Sequence, residues 1–411
     1  MKDVDLYAQI LGITHPWFVA DVKLQAGSGR VDIWLDHKSR VSWACPECGC
    51  ELACRDHSEE RTWRHLDTCQ FKTFIHARIP RVRCPEHGVR QVDVPWAEPR
   101  SRFTLLMERL VIDVLTECAT VEGARKLMRL SWDEVYGVMK RAVRRGMARK
   151  KQRQIRYLGV DEKAFRKGHS YMTVVCDLIR GSVEFVAEER KTASLEEYFR
   201  SLTPEQLETV KAVSMDMWSP YFLATQKWVP DAAGKIVFDR FHVMKHVGEA
   251  VDRVRRQEHK GLLAEKDDTL KGTKYFWLYR EENVPDKYRA RFETLRAANL
   301  KTAKAWAMKE SLQALWEYLS PGWAKRFLRK WCSWAGRSGL PPMKKVAQTL
   351  RSHMDNIVTF CRHRITNGVA EGLNSKIMSI KRRACGYRNR DNFKAAIYFF
   401  CGGLDLYPYP R

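Results

Sequence analysis

Tyr157-Leu158-Gly159-Val160-Asp161 is an apolar, strand-forming run that stops on a carboxylate. An aspartate at the end of a buried strand has poor strand propensity and is expensive to desolvate, so it asks for a cation or a metal ion beside it. The same phrase returns twice downstream. Val210 to Met215 is a buried strand ending on Asp216, and Ile236-Val237-Phe238 is another ending on Asp239. Between the first of these runs and the second lie two more strand patterns, Tyr171 to Leu178 and Ser182 to Ala187, and a helical one, Ser194 to Leu202.

Three antiparallel strands, a helix, a strand, a helix and a strand is the order of the RNase H fold. In that order the first and fourth strands are neighbours, so Asp161 and Asp216 meet at one end of the sheet. Beyond Phe241-His242 strand signals stop. Residues 245 to 360 are helical in composition, and their tryptophans (Trp277, Trp306, Trp316, Trp323, Trp331, Trp334) read as core. They form an all-α insertion. Val369 to about Arg382 is a last helix, with Ala370, Leu373, Ile377 and Ile380 as its buried stripe and Glu371 and Asn374 together on the flank. Glu371 thereby becomes a third acid for the site. Each acid taken singly has an ordinary explanation: Asp161 paired with Lys163, Asp216 capping a helix near Ser219-Pro220, Glu371 on a helix surface. Their joint position favours three hard oxygen ligands for one or two Mg2+. Two such ions about 4 Å apart activate a water or a 3′ hydroxyl and stabilise the leaving oxygen of a phosphodiester. No Ser, Tyr or Cys nucleophile is needed.

Upstream of Tyr157 the chain turns basic. Lys140, Arg141, Arg144, Arg145, Arg149, Lys150, Lys151, Arg153 and Arg156 follow one another with no acid between them. They continue out of a helix opened by the capping box Ser131-Trp132-Asp133-Glu134, whose inward residues read as Trp132, Val135, Met139 and Val143. Two helices precede it: Leu105 to Leu115, with Leu105, Leu106, Leu110, Val114 and Leu115 on one apolar face, and Thr120 to Leu127. Three short helices with a tight turn predict a helix-turn-helix, and the basic run predicts a phosphate-tracking arm. Further upstream, Cys45-Pro46-Glu47-Cys48-Gly49 and Cys84-Pro85-Glu86-His87-Gly88 are one phrase written twice. Each supplies two metal ligands and a glycine for the turn, and together they make a Cys3His zinc site of structural type. Strand patterns flank it, with a hairpin at Gly27-Ser28-Gly29, so the front of the chain reads as a zinc ribbon. Cys50, Cys54, Cys69, His57 and His65 lie close enough in sequence to replace one of the four ligands.

The composition agrees. The chain has 411 residues, 73 Lys and Arg against 49 Asp and Glu, and a formal net charge of +24. Such an excess favours a polyanionic partner, and the phosphate backbone is the commonest. No apolar run approaches the ~18 residues of a membrane span, and the first residues do not form a signal peptide. Six of the twelve cysteines fall between Cys45 and Cys84, and the rest are scattered singly. One metal cluster among cytosolic thiols fits better than a disulfide scaffold.

At this point the residues resemble a known group. The two knuckles, the helix-turn-helix, Leu158 to Glu162, Met215-Asp216-Met217, Phe238-Asp239-Arg240-Phe241-His242 and Asn367-Gly368-Val369-Ala370-Glu371-Gly372-Leu373-Asn374 are similar to the DDE insertion-sequence transposases of the IS-L-three group. The resemblance spans nearly the whole chain, and the Asp239 and Asn367 phrases are its most specific parts. It implies a multidomain α+β and α/β architecture: zinc ribbon over 1–100, helix-turn-helix over 101–150, RNase H-like core over 151–244 and 361–411, and the all-α insertion over 245–360. It implies Asp161, Asp216 and Glu371 as the catalytic, Mg2+- or Mn2+-binding triad, with two catalytic ions beside the one structural Zn2+ held by Cys45, Cys48, Cys84 and His87. The partners it implies are double-stranded DNA (terminal inverted repeats and a target), further copies of the chain on paired ends, and no membrane. It also implies movement through a circular DNA intermediate, in the bacterial cytoplasm on the nucleoid. Asp239 and His242 are second-tier catalytic candidates, His242 to orient a phosphate or protonate a leaving group. Trp218 is a candidate for stacking an unpaired base, and Lys376, Lys381, Arg382 and Arg383 for holding DNA beside the metals, with Arg388 and Arg390 extending that track. Two rivals remain: a nuclease or junction resolvase that never joins strands, and a zinc-containing DNA-binding regulator whose acids are structural.

Overall fold

The structure, a computed structural model, describes residues 2–150, 154–166 and 170–409. It divides into two compact units, one of residues 1–151, 380–400 and 404–411, the other of residues 152–379 and 401–403. No helix among the described residues is long and apolar enough to cross a membrane.

The first unit opens with a helix, Asp3–Leu11, and continues as six strands: β1 (Trp17–Gln25), β2 (Arg30–His37), β3 (Ser42–Ala44), β4 (Glu51–Arg64), β5 (Lys72–Cys84) and β6 (Gly88–Gln91). Their order is β1-β2-β5-β4-β3, with β6 paired to β5. The expected hairpin joins β1 to β2, and Gly29 supplies the positive φ of +62° at its corner. The long β4 is not announced by its sequence, because its alternation is broken by register shifts between Cys54 and Asp56 and between His57 and Glu60. Ile33, Ile75, Ile79, Trp63 and Val82 form the buried centre of this sheet.

Three helices follow, Leu105–Cys118, Val121–Met128 and Trp132–Arg149. Each begins on a side-chain cap: Thr104 accepts from Met107 N, Thr120 from Gly123 N, and Ser131 from Glu134 N while Glu134 reaches back to Ser131 N. Ala119 and Arg129 close the first two in the left-handed region. Gly123 sits where a Cβ would lie 3.0 Å from Thr120 Oγ1 and 3.1 Å from Cys118 Cβ, so a side chain at the tight corner between the first two helices would press on both neighbours.

The buried faces differ from the expected ones. In the first helix Met107, Glu108, Val111, Ile112 and Leu115 are inside, while Leu106 and Leu110 are exposed. The stripe is rotated because it is centred on Glu108, a charge that apolar periodicity places outside. Glu108 is only 1% exposed. It accepts from Ser101 Oγ at 2.8 Å and pairs with Arg141 at 2.5 Å and Arg145 at 2.9 Å. Trp132, expected inside, is partly exposed and stacks on Tyr136. Glu108→Ala leaves two arginines without their shared buried carboxylate. It is expected to destabilise this unit by about 3–5 kcal/mol, the cost of breaking a buried pair from one side, read as a fall in the denaturant midpoint.

The second unit carries β7 (Tyr157–Arg166), β8 (Ser170–Asp177), β9 (Ser182–Glu188), β10 (Ala212–Met215) and β11 (Ile236–Phe238), in the order β11-β10-β7-β8-β9. β7, β8 and β9 are antiparallel, and β10 runs parallel to both β7 and β11. The strand expected to stop at Asp161 runs on to Arg166, because β8 keeps pairing with it after β10 has ended. Helices Thr192–Arg200, Pro204–Thr209 and Ser219–Trp228 connect the strands. From the long helix Arg240–Ala264 onward every described regular element is helical. Trp277, Trp306, Trp316 and Trp331 are core, as expected, whereas Trp323 and Trp334 are exposed. The helix Gly368–Arg383 buries Ala370, Leu373, Ile377 and Ile380 as its periodicity predicts.

Candidate active site and metal centres

The sheet register builds the acidic site. The last pair between β7 and β10 is Val160 with Met215, and the last between β10 and β11 is Met215 with Phe238. Asp161, Asp216 and Asp239 each come one residue later, so three carboxylates stand level on three adjacent strands, about 4.8 Å from one strand to the next. This is the crevice beyond the carboxyl ends of parallel strands where α/β sheets bind ligands.

Side chains from two helices close the row. Asp239 caps the helix Arg240–Ala264, accepting from His242 N at 3.2 Å. His242 Nδ1 lies 2.6 Å from Asp216 Oδ1 and 3.1 Å from Asp239 Oδ2. Asn367 N donates to Asp239 Oδ1 at 2.9 Å, Asn367 Nδ2 to Val160 O at 3.4 Å, and Asn374 Nδ2 to Asp161 Oδ2. Ligand atoms of Asp239, His242 and Glu371 all lie within 4.8 Å of one another. Glu371 therefore meets the row at its Asp239 end, and Asn374, one helical turn on, meets it at Asp161. A Cβ on Gly159 would lie 3.2 Å from Asn367 Oδ1, 2.8 Å from Cys176 Sγ and 2.7 Å from Leu178 Cδ2. The glycine is required first by Leu178 and Cys176, and it also leaves room for Asn367 beside the strand.

Charge is crowded here. Burial, then the charge of Asp216, pushes the Asp161 carboxyl up to about 6. Burial and the neighbouring Asp239 and Asp216 raise Glu371. Burial alone would depress His242, but its bonds to Asp216 and Asp239 outweigh it and hold the imidazole at about 10. Against burial, the same His242 and the Asn367 N–H keep Asp239 low. The ordinary role considered for Asp216 does not apply, because the helix Ser219–Trp228 starts on Trp218 with no side-chain cap.

In the first unit, donor atoms of Cys45, Cys48, Cys84 and His87 converge within 4.8 Å. Cys48 Sγ is 3.6 Å from Cys84 Sγ, which is 3.4 Å from His87 Nδ1. Tetrahedral zinc, with bonds of about 2.3 Å to sulfur and 2.0 Å to nitrogen, spaces such ligands by ~3.8 and ~3.5 Å. Gly49 and Gly88, at φ +75° and +68°, turn the two knuckles. Backbone N–H groups of Cys48 and Glu47 aimed at the Cys45 sulfur draw its pKa down to about 7, toward the thiolate that metal requires.

The candidate DNA contacts divide. Lys140 and Arg144 are exposed on the third helix. Arg141 and Arg145 are not part of an exposed arm: Glu108 holds both, and Arg145 also pairs with Glu98 at 2.7 Å. Arg149 pairs with Asp405 at 3.0 Å and lies 4.1 Å over the Tyr409 ring. A run without local acids reads as free charge in sequence, and its partners come from far along the chain. Lys150 is half-buried with a partner, and Lys151 and Arg153 lie outside the described residues. Trp218, 37% exposed, donates to Arg190 O at 3.1 Å and carries the Arg190 guanidinium 4.7 Å over its ring. Lys376, Arg382 and Arg383 are exposed, and Lys381 is half-buried with a partner. The clamping roles of Asn367 and Asn374 were not assigned from sequence; the signals were the Asn367 to Asn374 phrase and the i, i+3 spacing of Glu371 and Asn374.

A family model described as a transposase, of the ISL3 type, matches residues 158–397 and so covers the acidic row, both clamps and Glu371. The chain belongs to the ISL3 transposase family. Residues 42–87 of this transposase match the zinc-finger of transposase IS204/IS1001/IS1096/IS1165, and residues 92–143 match the helix-turn-helix domain of transposase family ISL3. The chain is similar to the transposase for insertion sequence element IS1001 of Bordetella parapertussis, 29% identical over 390 residues, 93% of this chain and 95% of that protein. It is also similar to the transposase for insertion sequence element IS1557 of Mycobacterium tuberculosis, 27% identical over 418 positions, 95% and 93% of the two chains. The IS-L-three resemblance read from the motifs is thus the family of the transposase. Its acidic row fits divalent cations by donor chemistry: hard oxygens from several carboxylates, mutual repulsion that a cation relieves, and a buried Asn374 Oδ1 with no hydrogen-bond partner beside Asp161.

Proposed function

We propose that this chain cuts and joins DNA strands at the ends of an insertion element. Asp161, Asp216 and Glu371 act as the catalytic triad, and two Mg2+ or Mn2+ ions are the catalytic cofactors. The single observation that carries the reading is the level row of Asp161, Asp216 and Asp239 closed by Glu371. We read the five-stranded sheet as an RNase H-like core, and the helices between Asp239 and Glu371 as an all-α insertion into it. The zinc ribbon, with one Zn2+ on Cys45, Cys48, Cys84 and His87, and the helix-turn-helix recognise the terminal inverted repeats. Lys140 and Arg144 supply phosphate contacts. Paired ends bring at least two copies of the chain together.

Divalent cations at the acids supply a lowered pKa for the attacking water or 3′ hydroxyl and neutralise charge on the leaving oxygen. The chain's own residues do the rest. Asn374 fixes the orientation of Asp161. Asp239 spends its two oxygens on His242 and on the Asn367 N–H, so it positions the neighbouring groups. His242, charged at neutral pH between two carboxylates, is placed to hold a phosphate oxygen or to return a proton to the leaving group.

The test is a labelled element end incubated with the protein, Mg2+ and a target duplex. Nicked ends together with a slower-migrating joined product are expected. Nicking with no joined product under any target condition would leave a hydrolase and overturn the transposition reading.

A further inference from the structure

Beside the acids, the second unit carries an open cavity of about 840 Å3 whose wall includes Asp239, Gly368 and Glu371. This is the volume of a small-ligand site. One side is a single face of the helix Arg240–Ala264: Phe241, Lys245, Gly248, Asp252 and Arg256 follow one another at intervals of three or four residues. The opposite side comes from Lys274, Leu278, Arg280 and Lys309.

The lining sorts into spent and available groups. Arg256 is paired with Asp252, Arg253 with Glu249 and Arg280 with Glu282, while Lys309 is buried on the carbonyls of Leu278 and Tyr279. Arg240, Lys245 and Lys274 have no acidic partner among the described residues. Three available cations around a cavity that opens on an acid cluster fit an anion with a phosphate's charge. The apolar part is Phe241, Met244 and Leu278. Phe241 is 57% exposed and stands edge-on to His242 with ring centroids 5.4 Å apart, which leaves ring surface open for a flat partner. Gly248 leaves the middle of the helix face without a side chain; a Cβ there would touch only Leu278, at 3.6 Å.

We propose that this cavity receives one unpaired nucleotide of the DNA strand processed at the acids, with its base on Phe241 and its phosphate held by Arg240 and Lys245. The inference rests on the strand-cutting reading of those acids and adds to it the state of the substrate: the end is locally opened, and a base leaves the duplex to be stacked on protein. It also moves the stacking role from Trp218, whose indole is engaged by Arg190, to Phe241.

The experiment uses the full-length protein and element ends carrying 2-aminopurine at successive terminal positions, bound with Mg2+ omitted. Unstacking should brighten one position. Phe241→Ala should abolish that signal with end affinity changed less than about threefold, and lower cleavage of fully paired ends by about tenfold or more. Phe241→Trp should retain both, and a mismatch at the bright position should restore cleavage by Phe241→Ala. Gly248→Leu, which adds a side chain to the cavity wall beside Leu278, should act like Phe241→Ala. The proposal is overturned if no position brightens, or if Phe241→Ala cleaves paired ends like the parent. It is equally overturned if deoxynucleoside monophosphate occupies the cavity while bound ends stay stacked, which would make it a site for free nucleotide. Loss of cleavage in Asp216→Asn together with uniformly dark ends would keep the strand-cutting reading and remove only the cavity's role.

Discussion

Asp216→Asn is expected to lower strand cleavage at least about 100-fold while end binding stays within about twofold. Removing an outer partner of a metal site typically costs about 10–100-fold, and Asp216, proposed as a direct ligand, should match or exceed the upper end. It is the middle carboxylate of the row, level with Asp161 on one side and Asp239 on the other. Its charge is the second cause, after burial, of the raised Asp161 pKa, and its oxygen is the shorter of the two that face His242. Asparagine keeps the volume and removes the charge. On the proposed reading the cation site loses a hard ligand, and His242 loses one of the two carboxylates beside it, with no cavity opened in the sheet. Single-turnover cleavage of a labelled end, beside a gel-shift titration on the same end, checks the prediction. Cleavage within tenfold of the parent would remove Asp216 from the triad.

Cys84→Ser should have the second largest effect. Cys84 ends β5, is buried, and has both the Cys48 sulfur and His87 Nδ1 within 3.6 Å of its own sulfur. Zinc content is expected to fall from one per chain to near zero. Structural zinc contributes about 10–16 kcal/mol of apparent folding free energy in isolated finger peptides. The sheet here has its own core of Ile33, Ile75, Ile79 and Trp63. A smaller loss follows, on the order of 4 kcal/mol, concentrated in the two knuckles and β6. End binding should drop steeply with it, and cleavage only in proportion to binding. Metal analysis, thermal melting and gel shift read the three parts separately. Full zinc content in Cys84→Ser would show that one of the nearby cysteines or histidines is the true ligand.

The parts legible in the sequence were those written locally. The knuckles carry their own spacing, Ser131 and Glu134 announce the third helix, and three apolar strand runs betray themselves by the aspartate that follows each. The parts that were not legible depend on partners far along the chain. Glu108 is inside because Arg141 and Arg145, more than thirty residues on, neutralise it. That one compensation rotates the buried face of its helix and removes two cations from the supposed arm. Asp161 lies within a strand because β8 outlasts β10, a difference in length that neither strand encodes alone. Asn367 and Asn374 look like ordinary polar residues until the fold lays them against Val160 and Asp161.

The row of aspartates is spaced by main-chain pairing, not by the loops that join its strands. Insertions between the strands, or a different helical elaboration before Glu371, leave the separation of the three carboxylates untouched. A one-residue slip of β10 would instead turn the middle acid to the opposite surface of the sheet. Evolution can thus lengthen and redecorate the connections freely, while the pairing of Met215 with Val160 and Phe238 acts as the ruler that holds the chemistry to scale.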